Sequence, residues 1–198
     1  NAGITPKVLE YGSLGCSGDL APLAHCALVL MGEGTAYGPD GQEQPAATLL
    51  EAAGIKPVEL REKEGLALIN GTDGMLGMLI MACHDLAALL DQGDLIAAMS
   101  IEGQLGTDQT LRSQLHQDLR PHPGQAVSAN NMFSALSGSE IIASHRHGDG
   151  VVQDAYSLRC APQVSGAVRD TLSHAQLVAG RELAAIIDNP VVLSTGEV

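Results

Sequence analysis

From Leu20 to Met31 almost every position is apolar, and this run predicts a helix. It is entered through Asp19 with Pro22 in its first turn, and Gly32 and Gly34 end it. Gly34 to Pro45 holds Tyr37-Gly38-Pro39-Asp40-Gly41, a turn-rich stretch that predicts a small surface hairpin. Ala46 to Ala53 reads as a short helix closed by Gly54. Lys63 to Gly71 leads into a long helix through Met75, Leu79 and Leu86 that closes near Gly93, and a further helix runs from Asp94 to about Leu105. Pro121-His122-Pro123-Gly124 breaks the chain before a helix from Gln125 to Leu136, and Ser137 to Gly150 is polar enough to read as a loop. Gln163 to Ile187 has helical spacing at Val164, Val168, Leu172, Leu177, Leu183 and Ile187, and ends at Asp188-Asn189-Pro190. The pattern predicts a mainly helical domain with a small β excursion near residues 34–45 and no internal repeat.

Composition narrows the classes. The 198 residues carry 10 Lys and Arg against 23 Asp and Glu, a net charge of −13. Such a balance repels phosphate, so nucleic acid and anionic membranes are poor partners. Aromatic residues make up only 2% of the chain, which leaves Leu, Ala, Val, Ile and Met to build a closely packed helical core. Leu66–Leu90 is interrupted by Asn70, Asp73, His84 and Asp85, and reads as buried helix rather than a membrane span. Cysteines 16, 26, 83 and 160 show no paired spacing, and no signal peptide is evident, which predicts a reduced, cytoplasmic setting. The length suits one sizeable domain. The chain opens Asn1-Ala2-Gly3 without a methionine and closes shortly after a strand-like Val191–Leu193, so residues 1–198 are expected to be the central portion of a larger protein.

The chemistry concentrates in Gly12-Ser13-Leu14-Gly15-Cys16-Ser17-Gly18-Asp19-Leu20-Ala21-Pro22-Leu23. In a strained turn the amide nitrogen of Gly18 can attack the carbonyl carbon of Cys16, because glycine has no Cβ to block the approach. Loss of one water from the new ring and another from Ser17 leaves a conjugated methylidene-imidazolone, an electrophile that no ordinary side chain supplies. A plain reading makes this segment a loop with Asp19 or Ser17 capping the next helix. A hydrolase nucleophile elbow is excluded, because Gly15-Cys16-Ser17-Gly18 places its second glycine one position early. Cys16, His25 and Cys26 match no common zinc spacing.

Two further runs accompany it: Glu62-Lys63-Glu64-Gly65-Leu66-Ala67-Leu68-Ile69-Asn70-Gly71-Thr72 and Gln153-Asp154-Ala155-Tyr156-Ser157-Leu158-Arg159-Cys160-Ala161-Pro162-Gln163-Val164. Together the three segments resemble the aromatic amino acid ammonia-lyase family, over essentially the whole chain. The resemblance implies a helical-bundle domain of the ammonia-lyase (fumarase/aspartase-like) fold. It also implies a 4-methylidene-imidazol-5-one (MIO) group formed autocatalytically from Cys16, Ser17 and Gly18, with no external cofactor and no metal. Family triads usually begin with alanine, but only backbone atoms of the first residue enter the ring. By the same resemblance Asn70 lies beside the prosthetic group and binds substrate, where a neutral amide donates without quenching the electrophile. Arg159 grips the substrate carboxylate through its planar fork. Tyr156 assists with protons or amine orientation, and Gln153 positions the substrate. Taken singly, Asn70 could equally be a helix cap, Arg159 an ion-pair partner and Tyr156 a half-buried packing residue.

The reaction implied is non-oxidative elimination. The substrate amine becomes a good leaving group, a base removes a proton from the β-carbon, and ammonia departs from an α,β-unsaturated acid. A helix starting after Asp19 would add about half a positive charge beside the ring. In the family the base is a tyrosine in an N-terminal segment and a substrate-selecting charge lies toward the C-terminus, both expected outside this chain. Gln153–Cys160 looks like bacterial histidases, which makes L-histidine the expected substrate and trans-urocanate the product. A tyrosine or phenylalanine lyase or aminomutase using the same group is an alternative, as is a non-catalytic helical homologue. Family members are homotetramers with shared sites. Ala161 departs from the glutamine of many histidases, without an assigned consequence. His145-x-His147 reads as exposed loop rather than a metal chelate, His84, His116 and His174 as solvated or packed, His122–Gln125 as structural and Asp188–Pro190 as fixing a turn.

Overall fold

The computed structural model describes residues 1–16, 19–148, 150–188 and 190–196, and the chain is mainly helical. It divides into two compact units, residues 1–79 with 182–198 and residues 80–181.

In the first unit β1 (Thr5–Pro6), β2 (Thr35–Tyr37) and β3 (Glu43–Pro45) form an antiparallel sheet in that order. The predicted hairpin is β2 and β3; the two-residue β1 was not foreseen. Alternation along β2 turns the fully buried Ala36 inward, onto Val29, Ala46 and Leu49. Val29 belongs to α1 (Leu20–Leu30), and Ala46 and Leu49 to α2 (Ala46–Ala52). Helix α1 ends as predicted at Gly32, whose φ of 78° lets its N–H reach the Val29 carbonyl while Glu33 reaches Leu28. Next come α3 (Glu64–Ile69) and α4 (Asp73–Gly103).

Helix α4 is continuous, so the predicted break at Gly93 does not occur. Asp94 reads locally as a start signal, but it is fully buried and bonded to Arg169 (2.6 Å) and Asn131 (2.9 Å). A single interior glycine costs only about 1 kcal/mol, too little to outweigh those anchors. The expected burial of Leu66–Leu90 also fails in this chain: Leu66, Leu68, Met78, Leu79, Met81 and Leu89 are exposed. Apolar residues ring the helix, whereas only Leu76, Cys83, Asp94, Ala98 and Ile101 of α4 are buried. By length and composition alone, the segment from Glu64 to Gly103 could cross a membrane.

The second unit adds α5 (Pro123–Ala135), α6 (Glu140–Ser144), α7 (Tyr156–Arg159) and α8 (Ala161–Glu182). Its core gathers Ala98, Ile101, Leu111, Met132, Leu136 and Ile142. Helix α6 lies within the polar stretch read as loop; Ser139 starts it by accepting a bond from the Ile142 N–H at 3.1 Å. Helix α8 stops short of the predicted Ile187. A 3-10 turn (Asp108–Leu111) and a π-helical turn (Gln114–Asp118) precede α5. The π turn buries His116 between the Thr110 carbonyl and the Gln125 amide, 2.7 and 2.8 Å away.

Helices α5 and α8 meet backbone to backbone. A Cβ on Gly166 would lie 2.3 Å from the backbone of Gln125, and one on Gly124 2.3 Å from the Gly166 carbonyl. Asp170 accepts the Gly124 N–H at 2.8 Å, and Arg169 bonds Ser128 on α5 and Asp91 and Asp94 on α4. Gly166→Ala is therefore expected to destabilise the fold by about 1–3 kcal/mol. Gly93→Ala, whose Cβ meets nothing within 4 Å, should stabilise it by about 0.4–1 kcal/mol. Denaturant unfolding of the two variants checks both signs.

Candidate active site

The Gly12–Leu23 segment singled out in the sequence leads into α1. Ser17 and Gly18 fall outside the described residues, but their flanks are ordered around one carboxylate. Asp19 is 1% exposed and stands at the N-cap position, yet its side chain makes no cap bond. It reaches backward instead, accepting from the Ser13 hydroxyl and the Leu14 N–H. Its own N–H donates to the Cys16 carbonyl at 3.1 Å. Gly12 and Gly15, with φ of 133° and 69°, let the loop double back. The plain helix-cap reading of Asp19 is thereby overturned. What Asp19 does is clamp the loop before the triad and present a donor to the carbonyl that cyclisation would attack. Cys16 is exposed, and the first amides of α1 keep their partial positive charge without a side-chain cap. The exposed Cys16, with the Asp19 N–H on its carbonyl, fits the residues that the methylidene-imidazolone group would be built from.

Asn70 follows α3 at its C-cap position, half-buried, with φ −112° and ψ 67°. The other end of α3 is held by Lys63, whose φ of 68° is left-handed and strained for a residue with a Cβ. Its ammonium pairs with Asp188 and the Pro190 carbonyl. Asp188 and the Pro190 carbonyl thus anchor the helix that leads to Asn70. Sequence reading gave Lys63 no role, because its partner lies 125 positions away.

In the second unit the structure brings Tyr156 and Arg159 together on α7. The guanidinium carbon lies 4.0 Å from the centre of the Tyr156 ring, a cation–π contact. Tyr156 is 73% exposed, whereas Nε of Arg159 is buried without a hydrogen-bond partner. Oε1 of Gln163, four positions on, is also buried and unpartnered, a signal sequence reading did not raise. Gln153 is exposed and lines a cavity of about 320 Å³ with Thr107, Asp108, Arg146 and Asp154. Cys16 and Asn70 belong to the first unit, and Gln153, Tyr156 and Arg159 to the second. Both ring nitrogens of His145 face carbonyls, of Ile141 at 2.8 Å and Gly106 at 2.9 Å, so backbone bonds occupy this histidine of the His145-x-His147 pair.

The Ser13 hydroxyl holds the Asp19 carboxyl below its ordinary value of 3.8, with the Leu14 and Gly15 amides adding to the effect against desolvation. A depressed folded value means that the clamp's stabilisation is complete above about pH 4 and fades as pH falls through the lower folded value. The stability difference between wild type and Asp19→Ala should accordingly stay constant from pH 7 to about pH 5 and shrink below pH 4. Thermal unfolding across that range is the measurement; a difference independent of pH would show that the carboxylate is not what holds the loop.

The chain is 67% identical over 198 residues to a histidine ammonia-lyase of Streptomyces griseus and 66% identical to that of Streptomyces avermitilis. All of this chain aligns in both cases, and it spans 38% of the length of each relative. A solved tyrosine aminomutase from Streptomyces globisporus superposes with a TM-score of 0.76 at 40% identity, over 98% of this chain and 40% of that one. Its mainly helical fold with a small sheet is thus the ammonia-lyase and aminomutase fold. Residues 1–198 match the aromatic amino acid lyase family throughout, and the chain belongs to that family.

Proposed function

We propose that the intact protein is a histidine ammonia-lyase that eliminates ammonia from L-histidine to give trans-urocanate. The observation that carries this reading is Arg159: its charge rests on an aromatic face instead of a carboxylate, and its buried Nε–H is left open. An unpaired buried donor costs about 1–3 kcal/mol, a cost that an incoming anion would relieve. The substrate carboxylate is that anion, held by two parallel bonds that fix the orientation of the amino acid. The identity to two histidine ammonia-lyases supports histidine as the amino acid.

Cys16, Ser17 and Gly18 would hold the prosthetic group, which when formed supplies an electrophilic carbon that makes the amine a good leaving group. Asp19 keeps the preceding loop closed, and its N–H polarises the Cys16 carbonyl for the cyclisation. Asn70 donates to the bound substrate, Gln153 positions it, and Tyr156 handles the proton or orients the amine while its ring holds Arg159 in place. The exposed apolar positions of α4 support assembly into a homotetramer, and a cytoplasmic enzyme acting on a free amino acid fits the acidic, cysteine-reduced chain.

The solved aminomutase that shares this fold favours a second reading, in which tyrosine or phenylalanine is processed through the same group. Incubation of the intact enzyme with each amino acid separates the two: urocanate from histidine is expected, and coumarate, cinnamate or a β-amino acid without urocanate overturns histidine as the substrate. Ser17→Ala should abolish turnover while leaving the protein folded and lacking the two-water mass loss of the mature form. Full activity in that variant would refute the prosthetic group. Arg159→Lys should raise KM at least about tenfold, because an ammonium cannot form the two-bond grip.

A further inference from the structure

The stretch that carries Gln153, Tyr156 and Arg159 is tied to a turn that sequence reading passed over. After α4, Leu105 turns left-handed at φ 55°, and the Gly106 N–H closes back onto the Ile101 carbonyl at 2.7 Å. Asp154, half-buried between Gln153 and Tyr156, accepts the next amide, Thr107 N–H, at 2.7 Å. Two more bonds reach the same turn from the end of α6: His145 to the Gly106 carbonyl at 2.9 Å and Arg146 to Asp108 at 2.7 Å. The turn leaves no spare room, since a Cβ on Gly106 would lie 3.0 Å from Oδ2 of Asp154 and 3.1 Å from the Ile101 carbonyl.

We infer that Asp154, seated on the Gly106–Thr107 turn, is a positioning residue that sets where Gln153 and the Tyr156–Arg159 pair meet the substrate. The inference rests on the proposed lyase activity and deepens it. Asp154 touches no reacting atom. Its carboxylate fixes one point of the backbone, with Gln153 one residue before it and α7 starting two residues after it. Gln153 and Tyr156 are exposed, so neither is held by packing of its own. A charge-assisted bond to a backbone amide is stronger than a neutral one, and here it ties the start of the segment down while Leu158, packed on the core, holds its other end. His145 and Arg146 hold the far side of the stretch, on the other flank of Val151 and Val152.

The test uses the intact enzyme and steady-state kinetics with each amino acid substrate, together with inhibition by the unsaturated acid product. Asp154→Ala should raise KM and the inhibition constant together by about tenfold, with kcat per mature active site changed less than about threefold. Asp154→Asn keeps an oxygen that accepts the Thr107 N–H, and should recover most of the loss. Gly106→Ala, whose Cβ would crowd the Asp154 oxygen that accepts the Thr107 N–H, should reproduce the KM defect without altering any residue from 153 to 159. A purely structural role predicts fewer active sites at unchanged KM, and that result overturns the proposal, as does Asn behaving like Ala. Wild-type enzyme inactive on every aromatic amino acid would instead overturn the activity on which the proposal rests.

Discussion

The second unit depends on one close approach, the crossing of α5 and α8 at Gly124 and Gly166. Two helices can come this near only where neither carries a Cβ, and the closeness puts polar groups within reach of each other. Asp170 then takes an amide at the start of α5, and Arg169 spans from α8 to Ser128 on α5 and to Asp91 and Asp94 on α4. Asp94 is buried without exposure, so its charge is tolerable only with that guanidinium and Asn131 in place. Gly166 lies seven residues beyond Arg159, and the crossing fixes the start of α8, which follows directly on the short α7 that carries the candidate carboxylate grip.

A common logic runs through the site residues. Among the described residues proposed to face substrate, Cys16, Gln153 and Tyr156 are exposed and Asn70 is half-buried. Each is carried by a short segment fastened at a neighbouring polar residue: Asp19 beside the triad, Lys63 ahead of α3, and Asp154 beside Gln153. The fasteners are charged groups bonded to backbone or to an opposite charge, which fixes position without filling space near the reacting centre. In this chain, strain accompanies them at Lys63 and Leu105, non-glycine residues with positive φ.

Much of this was legible in the sequence, and the residues show why the rest was not. Helix α1, the hairpin and α5 follow from local periodicity and punctuation, which are short-range properties. The family match rests on runs of consecutive residues, so the candidate site residues could be named without any geometry. Asp19 and Asp94 were misread for one reason. An aspartate before an apolar run is a good local start signal, but Asp19 turns back to Ser13 and Asp94 is claimed by an arginine 75 positions later. Helix α6 had a readable Ser139 cap that the surrounding polarity hid. The π-helical turn has no local signature: it exists because His116 must reach both Thr110 and Gln125. The stacking of Arg159 on Tyr156 is likewise a matter of how α7 turns, not of which residues are present.

The three fasteners differ in how far apart their ends lie along the chain, and this sets an order in time. Ser13 and Asp19 are six positions apart, Thr107 and Asp154 47, and Lys63 and Asp188 125. Closing the longest loop costs about 2–3 kcal/mol more entropy than closing the shortest. On a chain emerging N-terminus first, the loop before the triad can close almost as soon as it is made, while α3 waits for its anchor until position 188 has left the ribosome. The turn in which the electrophile would form is thus the earliest part of the site to take shape, and the support for Asn70 is the last.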